Sequence, residues 1–84
     1  IELSPRMAFA YYNRGNIMAE AGDYTSALLA YNKAIELKPD LGEAYYNRGY
    51  VYFQLGDRDR GAENLSKAGE LGVVPSYNLL KRMH

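Results

Sequence analysis

The chain has 84 residues, ten of them basic and ten acidic, so its formal net charge is zero. A domain this short buries only about 60% of its unfolded surface, which excludes a large enclosed active site, and the charge balance removes the simplest electrostatic case for nucleic acid or an anionic membrane. The absence of cysteine excludes disulfides, thiolate metal sites and cysteine nucleophiles.

Taken in chain order, the elements read as pairs of helices. Ser4-Pro5 suits an N-cap followed by proline in the first turn, where its missing N–H is harmless. From there to Glu20, Ala8, Tyr11, Tyr12, Gly15, Met18 and Ala19 recur at helical spacing. Gly22 is a natural stop, and Asp23 is placed to cap a second helix. Ala27, Leu28, Tyr31, Ala34 and Ile35 line one face of that helix, and Lys38-Pro39 ends it, because proline disfavours helix in the residue before it. A third helix is predicted from about Asp40 to Leu55 and a fourth from Arg58 to Leu71. After Gly72, the segment Pro75 to Met83 reads as a shorter closing helix with Ser76, Asn78, Lys81 and Arg82 on its polar side. No apolar run approaches the roughly 18 residues of a membrane span, and no charged-then-apolar signal segment opens the chain.

The pairs are copies of one unit. Ala10-Tyr11-Tyr12-Asn13-Arg14-Gly15 recurs intact as Ala44-Tyr45-Tyr46-Asn47-Arg48-Gly49. Ile1-Glu2-Leu3 recurs as Ile35-Glu36-Leu37, Pro5 as Pro39, Gly22-Asp23 as Gly56-Asp57 and Lys33-Ala34 as Lys67-Ala68, all at the same 34-residue offset. The series Tyr11, Gly15, Met18, Ala27, Tyr31, Ala34, Pro39 resembles the tetratricopeptide signature, and Tyr45, Gly49, Tyr52, Gly61, Leu65, Ala68 resembles it again. The resemblance implies an all-α superhelix of antiparallel helix pairs with a C-terminal capping helix. In that frame residues 1–7 are the end of a truncated preceding repeat, 8–41 the first repeat, 42–72 the second and 73–84 the cap, all in one domain.

Three departures from the pattern stand out. Arg14 and Arg48 stand where leucine is common, and their stems are expected to pack while the guanidinium reaches water or a carboxylate. Gly61 replaces a small alanine inside a helix, at a cost of about 0.5–1 kcal/mol. Gly72-Val73-Val74-Pro75 takes the place of a closing proline, so the bend there is expected to differ from that at Pro39. The mid-unit start leads us to expect a fragment from the end of a longer array, because repeat arrays bury their apolar faces against neighbours.

The resemblance also implies a binding surface, the inner face of the first helix of each pair. Repeat position places Phe9, Tyr12, Asn13, Asn16, Ala19 and Glu20 there in the first unit, and Glu43, Tyr46, Asn47, Tyr50, Phe53 and Gln54 in the second. Tyrosine offers area with a polar tip and few rotamers, which suits a binding surface. Tyr11 and Tyr45, by contrast, hold signature packing positions and read as core. Asn13 and Asn47 offer both donor and acceptor, enough to grip a peptide backbone without reading its side chains; the alternative is that each braces a neighbouring helix. A carboxylate clamp of the kind found in the family is not expected, since Tyr12 and Glu43 stand where cations would help.

Catalysis has little support. The only histidine is the terminal His84, Asp23 and Asp57 read as helix caps, and no glycine-rich phosphate loop follows a strand. The sequence therefore predicts no enzyme, no cofactor, no metal and no nucleic-acid or membrane partner. It predicts a protein-interaction module whose groove takes an extended peptide or helix. The alternative is a structural segment that self-associates, as a homodimer through the truncated N-terminal end.

Overall fold

The computed structural model describes residues 5–73, and these form four helices and no strand: α1 (Pro5–Glu20), α2 (Tyr24–Leu37), α3 (Gly42–Gln54) and α4 (Arg58–Glu70). The all-α architecture of helix pairs is as the repeat predicts. The closing helix expected over 75–83 and most of the truncated leading unit lie outside the described residues.

Local chemistry sets the helix ends. Asp23 accepts from the Ser26 amide at 3.2 Å and Asp57 from the Arg60 amide at 3.1 Å, each satisfying one of the free donors of a first turn. α1, α3 and α4 stop in the same way. The amides of Asp23, Asp57 and Val73 reach back to the carbonyls of Met18, Tyr52 and Ala68, each at 2.9 Å, around glycines of positive φ. α2 ends differently, before Pro39, so the two unit boundaries do differ. α3 starts at Gly42 rather than Asp40. Leu41, buried against α2, is the N-cap with a non-helical ψ of 86°, and Asp40 is turned to the Lys38 ammonium at 2.8 Å.

α1 packs along α2 and α3 along α4, and α2 then rests on α3. One cluster joins Ala8, Ala34, Leu41 and Ala44, with Tyr11, Tyr12, Ile35 and Leu37 around it. A second joins Ala27, Tyr31 and Val51, flanked by Tyr12, Met18, Tyr24 and Leu28. Most of the buried apolar side chains are alanines, so cohesion comes from close backbone approach rather than bulk. At Gly15 even one added carbon would lie 2.6 Å from the Tyr31 ring. Tyr11 and Tyr45 are only half-buried. The outer edge of Tyr11 meets the face where a further pair would stack, and the Arg48 guanidinium lies 5.2 Å from the Tyr45 ring centre.

Arg48 stitches three helices. Its Nε donates to Asn64 Oδ1 of α4 at 2.7 Å and its Nη1 to Asn32 Oδ1 of α2 at 2.9 Å, while Asn64 donates to the Arg60 carbonyl at 2.8 Å. Its partners are amides and a tyrosine face rather than the expected carboxylate. Burial lowers the guanidinium from its usual range, but an arginine remains charged at neutral pH.

Candidate functional site

The inner helices α1 and α3 run side by side, and between them lies an open depression of about 530 Å³. Asn16, Ala19 and Glu20 line it from α1, Asn47 and Tyr50 from α3, and Tyr24 and Tyr31 from α2. Its volume falls in the range of small-ligand or side-chain pockets, about 300–1,000 Å³.

A hydrogen-bonded network forms its wall. The Tyr31 hydroxyl, brought up from the core of α2, donates to Asn16 Oδ1 at 2.5 Å. Asn47 Nδ2 donates to the same oxygen at 2.8 Å and to the Tyr12 hydroxyl at 3.1 Å. The Tyr12 and Tyr31 rings meet tilted at 46°, with centres 6.1 Å apart. Burial above all, then the neighbouring Tyr12 and more weakly Glu20, outweigh the Asn47 amide and push the Tyr31 phenol up to about 12. It stays a neutral donor at any ordinary pH.

The network uses only half of each amide. Asn16 spends its oxygen and Asn47 its nitrogen. Among the described residues, the Asn16 nitrogen and the Asn47 oxygen have no protein partner, and both side chains line the depression. One amino group, with two N–H donors, and one carbonyl acceptor are therefore left over, enough to complement a peptide unit.

The residues read from the sequence fall into groups. Asn16, Asn47 and Tyr50 line the depression, and Tyr12 joins them through its hydroxyl. Phe9 and Tyr50 are 44% and 45% exposed, large apolar surface on the inner helices. Asn13 and Gln54 are exposed and Tyr46 is half-buried, each away from the network. Phe53 turns from the face toward α4. A carbon added to Gly61 would lie 2.7–2.9 Å from three atoms of the Phe53 ring, so the ring occupies the room the glycine leaves. Asn47 is paired with Asn16, and Asn13 stands apart. Tyr24 and Tyr31 were absent from the sequence reading of the surface, because both belong to the second helix of the pair. The one available signal was Tyr31 at a position shared with Leu65, where a hydroxyl asks for a partner.

The comparisons bear on the fold. No curated protein sequence matches the chain. Among solved structures it is similar to "First TPR of Spaghetti (RPAP3) bound to HSP90 peptide SRMEEVD", with a TM-score of 0.81 and 24% identity over 86% of this chain and 57% of that one. It is also similar to "Crystal structure of MamA", with a TM-score of 0.82 and 28% identity over 89% of this chain and 45% of that one. The chain thus spans about half the length of both. A family model described as "TPR repeat" matches residues 15–56 and one described as "Tetratricopeptide repeat" matches 42–71. With half the chain covered by the first match alone and the 34-residue helix pairs in place, the chain belongs to the tetratricopeptide repeat family.

Proposed function

We propose that the chain is a protein-interaction module that holds an extended peptide or short helix on the α1/α3 face. The observation that carries this reading is the pair of unspent amide halves, Asn16 nitrogen and Asn47 oxygen, on two side chains that line one depression with Tyr50. Phe9, Tyr12, Asn13, Tyr46 and Gln54 flank it as further contact surface, whereas the Phe53 ring packs toward α4. The neighbour bound to an HSP90 peptide supports the reading at the level of the fold. Energetics limit its strength. Each neutral hydrogen bond nets about 0.5–1.5 kcal/mol, so the aromatic contacts must supply most of the affinity, and a groove of two repeats fits micromolar binding. No catalytic role is proposed. The test is a peptide-library selection followed by titration of Tyr50→Ala and Asn16→Ala. Both are expected to weaken the selected peptide at least about fivefold with the helical signal retained, and unchanged affinity in both would overturn the assignment.

A second reading rests on its own observation. Leu41 is 2% exposed beneath α2, whereas its repeat equivalent Met7 is 51% exposed, and Leu29 nearby on α2 is 67% exposed. The outer face of α1 and α2 has the makings of a stacking surface, for a homodimer or for another repeat.

A further inference from the structure

The depression between α1 and α3 carries one sign of charge. Glu20 contributes a carboxylate, and no lysine or arginine lines it. Several cations elsewhere are engaged: Lys33 with Glu36, Lys38 with Asp40, Arg60 with Asp57, and Arg48 with Asn32 and Asn64. Glu20 itself makes no ion pair among the described residues. It also closes α1, whose last turn holds no basic residue, so the helix end adds partial negative charge there. The opposing positive end of α2 begins at Tyr24 but is capped by the Asp23 carboxylate. Tyr24, from the start of α2, and Tyr50, from α3, line the same depression. Aromatic faces and a carboxylate around a neutral amide wall make a receptor for a cation, because ring quadrupoles and the carboxylate attract it together. The same surroundings disfavour an acidic side chain or a free C-terminus.

We propose that this depression receives a lysine or arginine side chain of the bound peptide, between Tyr24 and Tyr50 and against Glu20. This rests on the peptide-groove reading and adds the chemistry of the partner. The backbone beside that side chain meets the Asn16 nitrogen and Asn47 oxygen, so charge recognition and backbone grip share one place.

The test titrates the whole isotope-labelled chain with acetylated, amidated hexapeptides that differ only at one central residue: lysine, norleucine or glutamate. The lysine peptide is expected to move the ring signals of Tyr24 and Tyr50 and the side-chain amide of Asn47. It should bind about threefold to tenfold more tightly than the norleucine peptide, with the glutamate peptide weakest. Glu20→Gln should cut the lysine advantage by at least about half, the rings of Tyr24 and Tyr50 keeping the remainder, while Glu36→Gln, an equal charge change outside the depression, keeps it whole. Equal binding of lysine and norleucine peptides, or an advantage that Glu20→Gln leaves undiminished, overturns the proposal. If the norleucine or glutamate peptide still shifts Asn16 and Asn47 in that case, the groove reading stands without it. If none of the peptides shifts any residue of the α1/α3 face, both fall.

Discussion

Phe53 and Gly61 show how two departures from the repeat compensate each other. Their equivalents in the first unit are Ala19 and Ala27, a pair of equal small residues; in the second unit one side grows to a ring as the other loses its Cβ. Gly61→Ala alone gains up to about 1 kcal/mol of helix propensity but forces a carbon onto the Phe53 ring, and overpacking of that kind costs about 1–3 kcal/mol. We expect net destabilisation of about 1 kcal/mol by urea unfolding. In a Phe53→Ala background the obstruction is gone, and Gly61→Ala should stabilise by about 0.5–1 kcal/mol. The same sign in both backgrounds would show that the ring does not occupy that space. Tyr31 offers a second measurement. Its phenol is raised from an ordinary 10.0 to about 12, so the folded chain keeps a proton that the unfolded chain has released. The stabilisation is whole below pH 10 and is lost as pH rises toward 12. Alkaline unfolding should therefore be less steep over that window in Tyr31→Phe than in the parent, and that variant should also lose about 1 kcal/mol at neutral pH through the missing bond to Asn16.

Helix ends are where the sequence was most legible, and the two aspartate caps test why. Asp23→Ala and Asp57→Ala should each cost about 1 kcal/mol, with faster hydrogen exchange at the amides of Ser26 and Arg60 respectively, the donors they satisfy. Such signals are local: a glycine and an aspartate side by side carry both the stop and the start. The beginning of α3 lacked one. The expected start at about Asp40 gives way to Gly42, with Leu41 buried and no side chain capping α3, so tertiary packing placed its first turn. The site divides along the same line. Asn16, Asn47 and Tyr50 followed from repeat position, because the inner face of a helix is a matter of period. Tyr31 did not, since a residue 1% exposed reads as core until the packing of three helices brings its hydroxyl to Asn16. Phe53 read as surface for the converse reason. Only the glycine eight residues on, across a turn, explains where its ring lies.

At the scale of the molecule, the contact between α2 and α3 offers a comparison for the outer face of the first pair. There Leu41 and Ala44 are buried beneath α2, and Arg48 reaches across to Asn32. Thirty-four residues earlier, Met7 and Ala10 are exposed, and among the described residues Arg14 has no such amide. Met7, Ala10, Tyr11, Met18 and Leu29 instead border two adjoining depressions of about 280 and 260 Å³. Arg14 lines both and Ser26 one; covering the apolar part of such a face lowers the free energy by about 25 cal/mol per Å². If the face joins two copies, sedimentation equilibrium should show a mean mass that rises from the 9.5 kDa monomer with concentration. Met7→Lys and Leu29→Lys together should weaken that association at least about tenfold, because each would place a hydrated ammonium in the contact. Both positions lie off the α1/α3 groove, so peptide binding should persist in the doubly substituted chain. A mass that stays monomeric over the whole range would show that copies of this chain do not meet there, leaving the face to a partner of different sequence.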